Sequence, residues 1–275
     1  MQNPQLILIK YGGNAMQSER LQDAVVKNIG RLRQDGHQIV LVHGGGPFIQ
    51  RILKTVRIES EFIEGHRKTS PEALKYIEMA LKGEVNGNLV NLLNRAGLRA
   101  VGLSGKDGQM AIATKRYHVK KDEAGQEQRY DLGQVGDVQH IDTRLVHTLL
   151  DNDYLPVVTC IASDEAGNDY NINADMFAGH LAGALKADHY LVLTDVDGLL
   201  RDIEDPTSRI DQLQLTELNG LFGNVITGGM IPKLESCQIA LQTGAKSACI
   251  INGTKPATIA EAIYSKKSIG TKICL

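Results

Sequence analysis

LILIKYGG, at residues 6–13, is the segment of this sequence that says most about its architecture. Its apolar residues predict a strand buried on both faces, which ends at Lys10 and is followed by two glycines and a helix-spaced apolar pattern. The same order returns when the apolar run at residues 39–42 meets HGGG at residues 43–46 and a helix beginning near Pro47. Because buried strands alternate with amphipathic helices, the sequence predicts an α/β fold with a mostly parallel sheet covered on both faces.

The alternation continues along the rest of the sequence, which predicts one fused α/β unit with two lobes. A polar, β-like segment at residues 112–138 predicts an antiparallel flap, with the charged stretch at residues 120–125 as its hairpin tip. Further strands are predicted at residues 100–103, 155–161, 190–193 and 248–251, and helices at residues 71–81, 85–95, 142–150, 173–185, from 233 onward and at 257–264.

Composition excludes several classes of function. The 30 basic and 32 acidic side chains among 275 residues give a formal net charge of −2, which argues against a nucleic acid or an anionic membrane as partner. The apolar run at residues 6–9 is too short for a secretion signal or a spanning helix, so we expect a cytoplasmic protein. Four cysteines without CxxC spacing predict reduced, packed thiols rather than a zinc site or a disulfide framework.

The 28 glycines form short groups after the predicted strands. Unpaired N–H groups and the positive end of a helix dipole make such turns suited to phosphates or carboxylates. Tight turns that merely require glycine are the alternative explanation. The sequence contains no GxxxxGK[ST], no GxGxxG after the first strand and no protein-kinase signature, so any nucleotide site is of another kind.

Two lysines adjoin glycine groups. Lys10 ends a buried strand directly before Gly12, where an ammonium group could meet a phosphate held by backbone donors. Lys233 follows TGGMIP, residues 227–232, at a helix start where its charge opposes the helix dipole, so a bound phosphate would explain it. A solvated strand end is the simpler interpretation of Lys10.

Polar candidates also lie in YNINAD, residues 170–175. Asn173 is a good N-cap and Asp175 favours a first helical turn, but capping leaves Asn171 unexplained, and its amide could bind a ligand. Arg67 begins a predicted helical region and offers a bidentate fork for a carboxylate, although a surface arginine is the default. His43 has no acid–base partner nearby in sequence, so we expect it to pack or hydrogen-bond structurally.

The sequence contains, in this order, Lys10-Tyr11-Gly12-Gly13, HGGG at residues 43–46, YNINAD at residues 170–175, TDVDG at residues 194–198 and GGMIPK at residues 228–233. Together these blocks resemble those of the amino acid kinase family. The resemblance implies an open three-layer αβα sandwich on a central, mostly parallel eight-stranded sheet. It also implies an N-terminal lobe, about residues 1–172, for the acyl amino acid and dimerisation, and a C-terminal lobe, about residues 173–275, for ATP.

Within the family, the blocks at residues 171–175 and 228–233 are most similar to kinases that phosphorylate N-acetyl-L-glutamate on its side-chain carboxylate in arginine biosynthesis. That similarity implies that Lys10 and Lys233 flank the transferring phosphoryl group, that Asp175 holds both ammonium groups, and that Gly13 and Gly45 donate backbone hydrogen bonds. It implies an acceptor site at Gly45, Gly46, Arg67 and Asn171, and a nucleotide site at Lys10, Gly12, Gly13, Asp195, Val196, Asp197, Gly198, Leu199, Leu200, Val225, Ile226, Thr227 and Lys233.

The resemblance implies ATP with Mg²⁺ carried on its phosphates and no dedicated metal ligands from the protein. Only five residues precede Leu6, so the N-terminal helix of arginine-inhibited members is not expected, and we predict a homodimer without arginine feedback. Binding of a nitrogen-signalling protein is left open.

GLSGKDG at residues 102–108 also resembles kinases of carrier-linked or acetylated aminoadipate in lysine biosynthesis. A carbamate-type kinase of the same fold is a further alternative. So is a catalytically silent nucleotide-binding regulator, but Lys10, Lys233 and Asp175 argue against it, because a regulator has no need of charges on a transferring phosphoryl group.

Overall fold

A computed structural model describes residues 3–12, 16, 18–63, 66–121, 126–265 and 267–275. The helices are α1 (Glu19–Gln34), α2 (Gly46–Thr55), α3 (Pro71–Glu78), α4 (Gly87–Arg95), α5 (Arg144–Asp151), α6 (Ala174–Ala184), α7 (Ile231–Thr243) and α8 (Ala257–Tyr264). The strands are β1 (Leu6–Tyr11), β2 (Gln38–His43), β3 (Phe62–Ile63), β4 (His66–Arg67), β5 (Ala100–Ser104), β6 (Ala111–Lys121), β7 (Glu127–Ile141), β8 (Leu155–Thr159), β9 (Ile161–Ser163), β10 (Asp169–Ile172), β11 (His189–Thr194), β12 (Gln212–Gln214), β13 (Ala248–Asn252) and β14 (Thr271–Cys274).

The central sheet has eight strands in the order β12-β14-β13-β11-β1-β2-β8-β5. Every neighbouring pair is parallel except β13 and β14. Strand β1 lies in the middle of the sheet, where Lys10 is in register with Val42 on one side and Val192 on the other. The predicted eight-stranded, mostly parallel sheet is therefore confirmed.

Alternate residues of β1 belong to two separate cores. Leu8 packs in the core formed with α2, α3, α5, α6 and α7, whereas Ile7 and Ile9 pack in the core formed with α1, α4 and α8. All three side chains are fully buried, and each contributes about 1.5–3 kcal/mol by leaving water. Helices thus cover both faces of the sheet, which is the predicted three-layer αβα sandwich.

The polar segment predicted as a flap, residues 112–138, belongs to a second, smaller sheet. Strands β6 and β7 pair as the predicted antiparallel hairpin, and with β9 and β10 they close into a four-stranded barrel. Residues 122–125 of the predicted tip lie outside the described residues. The single strand predicted at residues 155–161 was wrong: it divides at Cys160, because β8 stays in the central sheet while β9 pairs with β10.

The prediction of two separate helices at residues 71–81 and 85–95 was also wrong. Helices α3 and α4 are joined without a break by a π-helical segment, Met79–Asn86. The wider π turn keeps the backbone hydrogen-bonded through Gly83, so the glycine does not end the helix. This segment buries Asn86 against the sheet.

The structure also bears on the cysteines and on the search for membrane-spanning helices. All four cysteines are free thiols, as predicted, with Cys160 and Cys237 buried. In the part of the chain that the structure describes, the helices are too short or too polar to cross a bilayer.

Candidate active site

The predicted chemistry gathers at the carboxyl end of β1. Lys10 lies one residue before the end of this strand, and the first turns of α6 and α7 approach it from one face of the sheet. Helix α2 begins at Gly46, after the turn of Gly44 and Gly45 that follows β2, the neighbour of β1. Ligand sites of open α/β sheets form at such strand ends, where loops and helix N-termini converge.

Asp175 joins the two lysines that the sequence singles out. Its Oδ1 lies 2.9 Å from Lys10 Nζ, and its Oδ2 accepts a 3.3 Å hydrogen bond from Lys233 Nζ. Oδ1 is shielded from solvent and accepts no directed hydrogen bond from the described residues, so its contact with Lys10 is an ion pair. The structure therefore brings together three predicted residues from β1, α6 and α7.

The electrostatics of this cluster favour an anion. Burial raises the pKa of the Asp175 carboxyl, but Lys10 and Lys233 together outweigh burial and bring it below its ordinary value. Burial lowers the pKa of Lys233, and repulsion from Lys10 lowers it further, against the attraction of Asp175. Two ammonium groups around one carboxylate leave an excess positive charge that a phosphoryl group can neutralise.

Helix α6 holds Asp175 in place through its cap. The Asn173 side chain accepts hydrogen bonds from the backbone N–H groups of Asp175 at 2.9 Å and Met176 at 3.3 Å. The sequence-based prediction of Asn173 as N-cap is thus confirmed. The cap fixes the first turn, on which the Asp175 carboxylate faces Lys10.

Close packing of α6 on α7 brings Asp175 within reach of Lys233. The sequence-based predictions did not include this packing. A Cβ on Gly179 would lie 2.5 Å from the Ser236 carbonyl oxygen, and a Cβ on Gly183 would overlap Thr243. Only glycine lets the two helices approach so closely at these positions. The available signal was the spacing of Gly179 and Gly183, four residues apart on one helix face.

The glycine turns lie beside this cluster. A Cβ on Gly12 would lie 3.0 Å from Lys10 Nζ, and one on Gly44 would lie 3.1 Å from the Ala174 Cβ. Gly45 is buried against Leu81, which a Cβ would approach to 2.7 Å, whereas Gly46 is exposed with open space around it. Gly13, predicted to contact the phosphoryl group, lies outside the described residues.

Arg67 and Asn171, the predicted acceptor ligands, lie on the smaller sheets. Arg67 is on β4, not at a helix start as predicted, because the helix begins only after the Ser70 cap. Its guanidinium donates a hydrogen bond to Ser60 and stacks on Phe62 at 4.5 Å. Asn171 is half-buried on β10, opposite Ile161 of β9 and two residues before the cap of α6.

The predicted nucleotide segments lie at the ends of β11 and near α7. Asp195 follows β11, and its charge opposes the burial that lowers the pKa of Lys233, while Asp197 accepts hydrogen bonds from Lys255 and Asn252. Of the other predicted nucleotide residues, Val196 and Thr227 are exposed and Leu200 and Val225 are half-buried, whereas Gly198, Leu199 and Ile226 are buried.

The chain matches known proteins in family, in sequence and in structure. The model of the amino acid kinase family matches residues 5–252. An acetylglutamate kinase from Heliobacterium modesticaldum is 44% identical over 268 residues, covering 97% of this chain and 91% of that protein. One from Methanococcus maripaludis is 41% identical over 271 residues, covering 98% and 92%.

A solved structure also resembles the chain over nearly its full length. Protein smu.665 from Streptococcus mutans has a TM-score of 0.77 and 28% sequence identity, covering 98% of each chain. This structural match supports the fold described above.

Proposed function

Because the chain belongs to the amino acid kinase family, we propose that it transfers the γ-phosphoryl group of ATP to the side-chain carboxylate of N-acetyl-L-glutamate. The product is N-acetyl-L-glutamyl 5-phosphate, an intermediate of arginine biosynthesis. The observation that carries this proposal is the contact of Asp175 with both Lys10 and Lys233 at the end of the central strand. The two acetylglutamate kinases, 41% and 44% identical over almost the whole chain, support the choice of acceptor.

The reaction asks little covalent chemistry of the protein. A carboxylate is already a nucleophile: its oxygen forms a bond to the γ-phosphorus while the bond to the bridging β,γ-oxygen breaks and ADP leaves. No general base is needed, so catalysis consists of alignment and of neutralising charge on the moving phosphoryl group. Lys10 and Lys233 supply that charge, and Asp175 keeps both ammonium groups in position.

Backbone donors complete the proposed phosphoryl site. The N–H groups of Gly13 and Gly45 donate to the transferring group, and Gly12 admits it close to Lys10. Gly45 and Gly46, at the start of α2, together with Arg67 and Asn171 hold the acyl amino acid. Helix N-termini carry unpaired N–H groups and partial positive charge, which suits this anionic acceptor.

The proposed nucleotide site comprises residues 195–200 and 225–227 with Lys10, Gly12, Gly13 and Lys233. Mg²⁺ would be held through the ATP phosphates, where it screens their charge; the described residues contain no group of three or more His, Cys, Asp or Glu side chains suited to a metal. The two lysines and the glycine turns match a polyphosphate in charge and in donor type.

We also propose the organisation implied by the family: an acceptor lobe at about residues 1–172, an ATP lobe at about residues 173–275, a homodimer and a cytoplasmic location. Sedimentation of the purified protein tests the dimer, and a hexamer would contradict it. Arginine at physiological concentration should leave the rate unchanged.

The acceptor is tested by trapping the acyl phosphate with hydroxylamine. Purified protein is incubated with ATP, Mg²⁺ and either N-acetyl-L-glutamate, L-glutamate or N-acetyl-L-2-aminoadipate, and the hydroxamate is measured. A pocket built for one chain length discriminates by about 10–200-fold against one extra methylene. We expect kcat/KM for N-acetyl-L-glutamate to exceed that for the aminoadipate derivative by at least about tenfold.

The same assay separates the competing functions. Faster phosphorylation of N-acetyl-L-2-aminoadipate would favour a kinase of lysine biosynthesis, which GLSGKDG at residues 102–108 resembles. ATP binding without hydroxamate from any acceptor would favour a silent nucleotide-binding regulator. The Lys233→Ala variant, assayed in parallel, shows how much product arises without the proposed site.

A further inference from the structure

His43, the last residue of β2, is completely buried and hydrogen-bonded at both ring nitrogens. Its Nδ1 lies 2.9 Å from the Gly44 carbonyl oxygen, and its Nε2 lies 2.9 Å from Asn86 Nδ2. The sequence-based expectation of a structural, hydrogen-bonded histidine is confirmed. Its partner Gly44, however, belongs to the glycine turn of the candidate active site.

The contacts of Asn86 determine which ring nitrogen carries the hydrogen. Asn86 Nδ2 lies 2.9 Å from the Val157 carbonyl oxygen, which can only accept, so the atom facing it must be the amide nitrogen. That nitrogen has two hydrogens, and the second points to His43 Nε2. A neutral ring that accepts at Nε2 carries its hydrogen on Nδ1 and donates it to the Gly44 carbonyl.

The ring is neutral at physiological pH. Burial lowers the pKa of His43 to about 4. The hydrogen bond to the Gly44 carbonyl raises this pKa, and the positive charge of Lys82 lowers it, but burial has the largest effect.

The direction of the Gly44 carbonyl also sets the direction of the next N–H. The described peptide bonds are all trans, and in a trans peptide the carbonyl of one residue and the N–H of the following residue point in opposite directions. With the Gly44 oxygen held toward His43, the Gly45 N–H points away from the ring. Gly45 is the residue before α2, and N–H groups at a helix start have no partner within their own helix.

Behind Asn86, the strand β5 is shaped to receive this side chain. A Cβ at Gly102 would overlap Asn86 Oδ1, so only glycine at this position leaves room for the amide. Asn86 itself is the last residue of the π-helical segment, which turns it inward. Gly102, Asn86, His43 and Gly44 therefore form a continuous row of contacts from β5 to the glycine turn.

We propose that His43 is a positioning residue: held in its Nδ1–H form by Asn86, it fixes the Gly44 carbonyl and thereby aims the Gly45 N–H at the transferring phosphoryl group. This inference rests on the proposed function, because it assigns a purpose to the Gly45 donor. It adds two residues, His43 and Asn86, that act without touching a substrate.

Two substitutions at the same position separate positioning from packing. The amide nitrogen of His43→Asn can replace Nδ1, whereas that of His43→Gln reaches the place of Nε2. Both variants lose the aromatic ring, and because Asn is smaller than Gln it leaves the larger void, so a role in packing alone predicts an effect of His43→Asn at least as large as that of His43→Gln. We expect His43→Asn to keep kcat within about tenfold of the unmodified protein and His43→Gln to lose on the order of 10²-fold, with similar thermal stability and unchanged ATP affinity.

A second comparison perturbs the row from its far end. Gly102→Ala pushes Asn86 from its place without touching the candidate active site. Gly83 lies in the same π-helical segment as Asn86, and a Cβ added there has nothing within 4 Å, so Gly83→Ala is the control. We expect Gly102→Ala to reduce kcat by about tenfold at unchanged KM for ATP and Gly83→Ala to leave both unchanged.

Nitrogen NMR of the imidazole ring reports the tautomer without any substrate. We expect the Nδ1–H form of His43 at pH 7 in the unmodified protein and its loss in Gly102→Ala. An Nε2–H ring in the unmodified protein, or equal kcat values for His43→Asn and His43→Gln, would overturn the inference. Failure of the proposed function would look different: the unmodified protein would give no acyl phosphate from any acceptor, and the NMR result would still decide the tautomer.

Discussion

The Lys10 ammonium lies 2.9 Å from Asp175 Oδ1, and each of these side chains is only 8% exposed. The pair connects the central strand β1 to the first turn of α6, and Lys233 adds a contact from α7. Removing Asp175 would leave two largely buried ammonium groups without their counter-charge and would cost about 3–5 kcal/mol, whereas removing one lysine leaves Asp175 paired with the other. The same three residues therefore stabilise the junction of the elements and supply the charge of the candidate active site.

Replacement of either lysine should reduce turnover far more than nucleotide binding. Lys10→Ala and Lys233→Ala each remove a cation that acts mainly on the charge developing in the transition state, so we expect kcat to fall by about 10²–10³-fold. The Kd for ATP should change by less than about tenfold, because the backbone donors of the glycine turns remain. Steady-state kinetics and calorimetric titration with ATP measure the two quantities.

Lys27→Ala is the matched control for the lysine substitutions, since Lys27 is exposed on α1. It should leave kcat unchanged. Full turnover in both Lys10→Ala and Lys233→Ala would reject the proposed mechanism.

Alanine at Gly45 should impair phosphoryl transfer while the fold is retained. The added Cβ would lie 2.7 Å from Leu81 Cδ2 and 3.3 Å from Val85 Cγ2, so the turn or the Leu81 side chain must shift. Because Leu81 ends in a flexible group, we expect a cost of only about 1–2 kcal/mol in the free energy of unfolding. The displaced Gly45 N–H should lower kcat by about tenfold or more, as measured by the hydroxamate assay.

Gly30→Ala provides the comparison for Gly45→Ala, because Gly30 lies within α1 with nothing within 4 Å of its Cβ position. Alanine there should raise the free energy of unfolding by about 0.5–1 kcal/mol without affecting the rate. A fully active Gly45→Ala enzyme would mean that the glycine serves only the turn.

The central sheet could be predicted because its signal is local. The alternation of Leu8 with Ile7 and Ile9 between two cores is what makes residues 6–9 continuously apolar, and the glycine turns follow at the strand ends. Asn173 and Asp175 were equally accessible, because capping acts within one helical turn. Such features need no knowledge of distant partners.

Other features depend on contacts between residues far apart in sequence. The closed sheet of β6, β7, β9 and β10 requires Cys160 to end one strand before Ile161 begins another, and nothing local marks that change. The π-helical segment is similar: its reason is the burial of Asn86 between His43 and Gly102, neither of which is near it in sequence. Arg67 is a different case: its partners Ser60 and Phe62 are close in sequence, but they contact it across a β-hairpin rather than along the helix that the sequence predicted.

Removal of the α6 cap should loosen Asp175. The Asn173 side chain binds the backbone N–H of Asp175, so Asn173→Ala should lower the free energy of unfolding by about 1 kcal/mol. We also expect a fall of kcat by severalfold, because the carboxylate that positions both lysines lies on the first turn. Asn173→Asp, which keeps an accepting oxygen, should restore most of the stability, and equal stability of the alanine and aspartate variants would contradict the capping role.

Because folded His43 resists protonation, the protein should become less stable in mild acid. Burial lowers the pKa of His43 from 6.5 to about 4, so between these values the unfolded chain binds the proton more readily than the folded protein. The free energy of unfolding therefore decreases as the pH falls from about 6.5 toward 4. A shift of this size corresponds to about 3 kcal/mol over the whole window, and to about 2 kcal/mol at pH 5.

Denaturant unfolding at pH 7 and pH 5 measures this contribution when the unmodified protein is compared with His43→Asn. Burial also lowers the pKa values of His180 and His189, but those groups remain in both proteins, so the difference between the two pH dependences isolates His43. We expect the variant to lose about 2 kcal/mol less than the unmodified protein on going to pH 5. Equal losses in the two proteins would show that His43 is not held neutral by its surroundings.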